Sequence, residues 1–260
     1  GLRQSRLRHV FLTHLHGDHV FGLLGLTGTL ALHAKGGELT IHTFAEGKRI
    51  LETINSYFNR DTPFQINFNI LDPKKEEIAY ENEKLRVRTV PLRHRVDCVG
   101  YVFEEKEKER HLRKDMCDFH QVPISLYKDL KRGADLIKPD GTLICNEMLT
   151  TAPTPGLSYA HLGDTAYFPE LSGMVGKVDL MYHETTYLDA HAELAAKRGH
   201  STAKEAARTA LESGSRWLLT GHYSSRYKEK EEIFAKEARE IFPNVIAGNE
   251  QMRIDCTKLR

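Results

Sequence analysis

Within the six residues His14-Leu15-His16-Gly17-Asp18-His19 the chain carries three imidazoles and a carboxylate. Val10, Phe11 and Leu12, just before them, form the short apolar run of a buried strand. Phe21, Leu24, Leu30 and Leu32, just after, suit a packed helix loosened by glycines. The polar cluster therefore falls in a strand-to-helix turn. His14 and His16 are two apart, so at a strand end they point the same way. Gly17 permits the bend that brings Asp18 and His19 round to the same pocket. Holding so many such groups in one turn is costly unless something binds them. Zinc takes nitrogen ligands with some oxygen and imposes no geometry of its own, so it suits this set.

The rest of the chain reads as alternating strands and helices. Residues 39–43, 64–70, 85–90 and 99–103 read as strands, and residues 46–57 carry Ile50, Leu51 and Ile54 at helical spacing. His94 lies in the loop between two strands, where a lone histidine is more often structural. Asp164 falls at the end of a strand beginning near Tyr159. Residues 178–186 read as a buried strand ending in the polar group His183-Glu184-Thr185-Thr186. Such strand ends are where α/β layers collect active-site groups. Residues 191–198 are helical, and residues 203–213 form an alanine-rich helix capped by Ser201 or Thr202. His200 sits just before that helix, where the dipole disfavours an imidazolium and welcomes a phosphate. Residues 217–220 form a strand leading to His222. A helix over 230–242 and a strand over 244–247 follow.

Between these lies a stretch of different character. Residues 104–115 are a charge run of mixed sign, the usual mark of a solvated segment. A short helix follows, N-capped near Ser125 and ended by Gly133, and residues 139–142 make a turn. With little apolar content of its own, residues 104–155 read as an arm projecting from the main body. Lys128, Lys131, Arg132 and Lys138 are available on it for phosphates.

Composition bounds the function classes. The chain is 40% hydrophobic and 28% charged, as a soluble globular protein should be. The best apolar stretch, residues 21–34, is broken by Gly, Thr, His and Lys, so no membrane span is expected. The polar start, residues 1–6, does not resemble a secretory leader. Four cysteines without regular spacing suit reduced thiols in a cytoplasmic protein. A net charge of +1 requires any phosphate-binding surface to be a local patch.

The opening cluster resembles the HxHxDH signature of the metallo-β-lactamase superfamily. That resemblance implies an αββα four-layer sandwich with a two-zinc hydrolytic site at the sheet edges. It also implies that His14, His16 and His94 hold one Zn2+, that Asp18, His19 and His222 hold the other, and that Asp164 bridges them. A hairpin and further strands normally precede this motif, so residues 1–260 are expected to be one such domain, N-terminally incomplete. Gly163-Asp164-Thr165, His183-Glu184-Thr185, Gly199-His200-Ser201-Thr202 and Ser224-Ser225-Arg226-Tyr227 together resemble the ribonuclease Z family of tRNA 3′-processing endonucleases. The resemblance implies removal of a 3′ trailer from precursor tRNA, leaving a 3′-hydroxyl on the tRNA and a 5′-phosphate on the trailer. It also implies a homodimer and an exosite arm at 104–155, though the Gly-Pro pattern often found at the arm's tip is absent. In this reading His200, oriented by Glu184, gives the leaving oxygen its proton. Asp18 accepts a proton besides binding metal, and Arg226 either contacts phosphate or makes a structural ion pair. Two alternatives are another phosphodiesterase or arylsulfatase-like hydrolase of the same fold, and a tRNA-binding protein without catalysis.

Overall fold

The computed structural model describes residues 6–33, 37–58, 64–228 and 231–259. Its first half runs β1 (His9–Phe11), α1 (Gly17–His33), β2 (Gly37–Thr43), α2 (Ala45–Phe58), β3 (Phe64–Ile70). The three strands pair in parallel in chain order. A parallel neighbour needs a crossover, which α1 and α2 provide. Leu39 and Ile41 of β2 are fully buried with Leu12, Val20, Leu23, Leu30, Leu51 and Phe64. Each such aliphatic side chain contributes roughly 1.5–3 kcal/mol relative to exposure. The stripe of α1 that packs is Val20, Leu23, Thr27 and Leu30, at helical spacing. Phe21 and Leu32, expected in the core, lie off this stripe and face outward, 73% and 85% exposed. On α2, Leu51 is buried while Ile50 sits exposed at the margin of the apolar face.

The larger sheet begins with the meander β4 (Ile78–Glu81), β5 (Leu85–Pro91) and β6 (Val99–Glu105). The chain then leaves on the arm: β7 (His111–Leu112), α3 (Lys114–Phe119), α4 (Tyr127–Lys131), β8 (Leu136–Ile137), β9 (Leu143–Ile144), α5 (Asn146–Leu149) and β10 (Thr150–Thr151). It returns as β11 (Ser158–Leu162), α6 (Leu171–Val175), β12 (Leu180–Glu184), α7 (Ala192–Arg198), α8 (Ala203–Ser213), β13 (Trp217–Gly221), α9 (Glu231–Ala238) and β14 (Val245–Ala247). Lys230, where the last helix was expected to start, lies outside the described residues. The seven strands stand in the order β14-β13-β12-β11-β6-β5-β4, with β11 to β14 mutually parallel and the β6 side antiparallel.

Phe44, Leu71, Val87, Val99 and Tyr101 fill the space between the two sheets, joined by Phe11 and Leu15. The buried Tyr101 hydroxyl donates to the Leu12 carbonyl at 2.6 Å, a direct tie across that space. On the far face of the large sheet, Ala203, Ala206, Ala207 and Ala210 of α8 and Phe234, Ala235 and Ala238 of α9 pack on Ala160, Met181 and Leu218. Small residues let these helices sit close to the strands. The layers are thus helix, sheet, sheet, helix: the expected αββα sandwich. No helix among the described residues is long and apolar enough to cross a membrane.

The arm departs from expectation. It has a core of its own in Cys117, Val122, Leu130, Leu136, Ile144 and Leu149. These residues come from separate short elements, so no window of the sequence looks apolar. The buried Asn146 amide donates to the Leu130 and Ala134 carbonyls at 2.8 and 2.6 Å, and its side-chain oxygen accepts from Thr150 Oγ1 at 2.7 Å. Ser125 caps nothing: a 3-10 turn, Ile124–Leu126, runs directly into α4 without a side-chain cap. Beyond α4, Gly133 takes a φ of +98°, a conformation glycine adopts without penalty.

Candidate active site

Six loops reach one edge of the sandwich, the α7–α8 loop with His200 among them. The loop after β1 is pinned to the large sheet by the Val99 N–H donating to the Thr13 carbonyl at 2.9 Å. The β5–β6 loop carries His94. Because β11, β12 and β13 run parallel, their carboxyl ends open on the same side and bring Asp164, Glu184 and His222 together. His222 has a φ of +60°, unusual for a residue with a Cβ, and the chain turns sharply there after Gly221.

Asp164 stands at the centre and is 4% exposed. The Nε2 atoms of His14, His19 and His94 each lie 3.7 Å from its Oδ2, and His222 Nε2 lies 3.3 Å from its Oδ1. His16 Nδ1 is 3.4 Å from His94 Nε2. His14, His16, His94 and Asp164 form one group of converging donor atoms, and His19, Asp164 and His222 form another, the atoms of each group within 4.8 Å of one another. Two ligands held at zinc-binding distances in a tetrahedron are separated by ~3.3 Å, close to what is seen.

The donor set fits metal ions on independent grounds. His14 Nε2 and Asp164 Oδ1 are buried without a hydrogen-bond partner among the described residues. Leaving such atoms unpaired costs about 1–3 kcal/mol each, and a shared cation would satisfy both. Burial and the neighbouring His19 push the His14 pKa down to about 4, and burial lowers that of His94. Both rings are therefore neutral near pH 7, the form that binds metal. Their second nitrogens are anchored: His94 Nδ1–H donates to the Gly199 carbonyl at 2.7 Å, and His14 Nδ1 lies 3.0 Å from Thr13 Oγ1. Gly199 holds a φ of +74° at the end of α7.

Beside this centre, His200 Nδ1–H donates to Glu184 Oε1 at 2.9 Å. The same oxygen accepts from the Ser201 and Thr165 N–H groups at 3.0 and 3.2 Å. Glu184 Oε2 accepts from the Thr186 N–H at 2.8 Å and the Thr186 hydroxyl at 2.7 Å. Glu184 is fully buried, and these donors replace the water it has lost. Burial works against the charged form of His200, but Glu184 outweighs it and raises the imidazole pKa above the ordinary histidine value. The helix dipole expected to disfavour the imidazolium is thus overruled. The donors nearest His200 are also taken, Ser201 N–H by Glu184 and Thr202 N–H by Glu205, so no open phosphate cradle stands at that helix start. Thr202 is the cap of α8, in a reciprocal box with Glu205, while Ser201 donates inward to the Thr165 carbonyl.

Asp18 is the most exposed of the expected ligands. It sits in the first turn of α1, its side chain is 78% exposed, and Oδ2 lies 3.6 Å from His19 Nε2. The nearest group around His19 and His222 is completed by Asp164 instead. Lys128, Lys131 and Arg132 lie on or beside α4 of the arm, with Arg132 Nε 3.9 Å from Glu109. Arg226 is exposed in a 3-10 turn, and its guanidinium makes no ion pair among the described residues. Thr186 was read in the sequence only as a member of the polar group that ends a strand, with no role of its own. A cavity of about 420 Å3 opens beside His222, walled by Tyr182, Leu219, Tyr223 and Met252 among others.

Residues 2–152 match the family described as Beta-lactamase superfamily domain. Ribonuclease Z of Parabacteroides distasonis is 41% identical over 253 residues, 97% of this chain and 83% of that protein. Ribonuclease Z of Porphyromonas gingivalis is 41% identical over 254 residues, 98% of this chain and 83% of that protein. Among solved structures, the short form of human tRNase Z superposes with a TM-score of 0.59 at 21% identity, covering 88% of this chain and 76% of that one. The metallo-β-lactamase fold protein YhfI from Bacillus subtilis gives 0.60 at 15% identity, covering 95% and 78%. Fold and histidine–aspartate edge together define a protein of metallo-β-lactamase fold. Within that class, the chain belongs to the ribonuclease Z family.

Proposed function

We propose that this chain is an endoribonuclease that processes the 3′ ends of tRNA, removing the trailer from a precursor and leaving a 3′-hydroxyl on the tRNA and a 5′-phosphate on the trailer. Its membership of the ribonuclease Z family supports the reaction class. The observation that carries the chemistry is the convergence of His14, His19, His94 and His222 on one buried carboxylate, with the Glu184–His200 pair alongside.

In this proposal His14, His16 and His94 would hold one Zn2+, His19, His222 and Asp18 a second, and Asp164 would serve both. Divalent cations there would supply Lewis acidity to a phosphodiester and to its attacking water. The protein's own groups manage the protons. Glu184 holds His200 with Nδ1–H directed at its carboxylate, so Nε2 carries the proton offered to the departing 3′-oxygen. The imidazolium that donates it is stabilised by Glu184, and its raised pKa keeps the acid form populated near neutral pH. Asp18, at the solvent side of His19, is placed to accept the proton lost by water.

The arm is the proposed grip on tRNA, with Lys128, Lys131 and Arg132 as phosphate contacts and Arg226 as a contact nearer the cut. A homodimer belongs to the same proposal, supported by the exposed Phe21 and Leu32 of α1 and Tyr57 and Phe58 of α2. The cytoplasm is the proposed compartment, in keeping with four unpaired cysteines. Incubation with a precursor tRNA carrying a 3′ trailer, with both product ends mapped, tests the reading. Cleavage after the mature 3′ end supports it, and an intact precursor in the presence of zinc overturns it.

A further inference from the structure

Thr186 Oγ1 touches three functional side chains at once. It lies 2.7 Å from Glu184 Oε2, 2.8 Å from His222 Nδ1 and 3.3 Å from His200 Nδ1. A threonine hydroxyl has one proton and two lone pairs. A buried carboxylate only accepts, so the hydroxyl proton belongs to Glu184. Oxygen is then an acceptor toward the histidines. His200 Nδ1–H is already committed to Glu184 Oε1 at 2.9 Å, which makes His222 the partner of the Thr186 lone pair.

We propose that Thr186 is a positioning residue that sets the tautomer of His222, coupling the Glu184–His200 pair to the metal centre through a single hydroxyl. This deepens the reading above and rests on it. With its proton fixed on Nδ1, His222 turns a bare Nε2 lone pair toward Asp164 Oδ1, 3.3 Å away. Two acceptors face each other at that distance, and Asp164 Oδ1 makes no hydrogen bond among the described residues. The gap is therefore kept for a cation. Without the Thr186 oxygen, His222 can instead carry its proton on Nε2 and donate to Asp164, so that a proton occupies the place of the metal. The polarity originates at Glu184: its carboxylate claims the hydroxyl proton, and this makes Thr186 an acceptor. One buried charge thus orients both His200, by direct contact, and His222, at one remove.

Thr186→Ser retains the hydroxyl and Thr186→Val replaces it with a methyl of similar size. Zn2+ titrated into the full chain against a chromophoric chelator is the first measurement. The serine variant should bind like the parent, whereas the valine variant should lose ~10–100-fold in affinity at its weaker site, the loss seen when the partner of a ligating histidine is removed. kcat on precursor tRNA should fall in the valine variant with little change in KM, and the serine variant should recover it. Unchanged zinc affinity in a folded valine variant overturns the proposal. Nitrogen-15 spectra of the histidines in the metal-free parent chain need no variant: an Nδ1–H tautomer for His222 is expected, and an Nε2–H tautomer overturns it. Both readouts are independent of RNA, so a parent chain that binds zinc as described and leaves precursor tRNA intact overturns the functional reading alone.

Discussion

His222 Nε2 and Asp164 Oδ1 stand 3.3 Å apart, and Asp164 Oδ1 makes no hydrogen bond among the described residues. The other oxygen of the same carboxylate faces three more imidazoles at 3.7 Å. Around Asp164 the protein has gathered four imidazole nitrogens, a donor set that suits cations.

Asp164→Ala should therefore empty the centre. The variant is expected to lose bound metal and to fall by more than about 100-fold in cleavage, since it removes a shared ligand and not merely a partner of one. Elemental analysis of the purified variant, beside a cleavage assay, checks this. A variant with full metal content contradicts the placement of Asp164.

Chelation should cost stability as well as activity. Ions that bind only the folded chain stabilise it by about 4 kcal/mol at a thousandfold excess over Kd. Thermal melts with and without a strong chelator should differ by several degrees, and added Zn2+ should restore the upper value.

His200→Ala should leave the metal content intact and lower kcat by roughly 10²–10⁴-fold, the contribution of a positioned general acid. Glu184→Gln should act in the same direction, because the amide cannot stabilise an imidazolium as a carboxylate does. Full activity in the His200 variant would remove it from the mechanism.

Gly199→Ala tests the anchor of His94. At a φ of +74° an alanine costs roughly 1–2 kcal/mol, and its Cβ would lie 3.0 Å from His94 Nδ1. A lowered melting temperature together with weaker zinc binding is expected. Thr202→Ala, which removes only the cap of α8, should lower stability by about 1 kcal/mol.

Replacing Lys128, Lys131 and Arg132 together with alanine should raise KM for precursor tRNA and flatten its salt dependence. Hydrolysis of a small phosphodiester should be unchanged. Equal loss on both substrates would show that the arm acts on folding and not on RNA.

The elements around the site were largely legible in the residues. The span 64–70 alternates because Phe64, Ile66 and Phe68 of β3 turn to one, partly buried face, though Ile70 at its end is exposed, and α8 follows the expected 203–213. The arm's core was not legible, because Cys117, Val122, Leu130 and Leu136 are separated in sequence and meet only when α3, the loop after it, α4 and β8 fold over one another. Phe21 and Leu32 misled for the opposite reason: apolar content does not say which side of a helix finds a neighbour.

Local spacing alone determined that residues 14–19 would gather their imidazoles in a strand-to-helix turn, since two-residue alternation and a glycine bend are properties of the backbone. The grouping of Asp18 with His19 and His222 came from the family resemblance and not from spacing. Only the tertiary structure brought Asp164 between His19 and His222, with Asp18 Oδ2 3.6 Å from His19 Nε2 on the exposed side. The parallel strands β11, β12 and β13 end on one edge, so residues from 164 to 222 meet there. The role of Thr186 was decided the same way, because a hydroxyl has no direction until its neighbours claim its proton and its lone pairs.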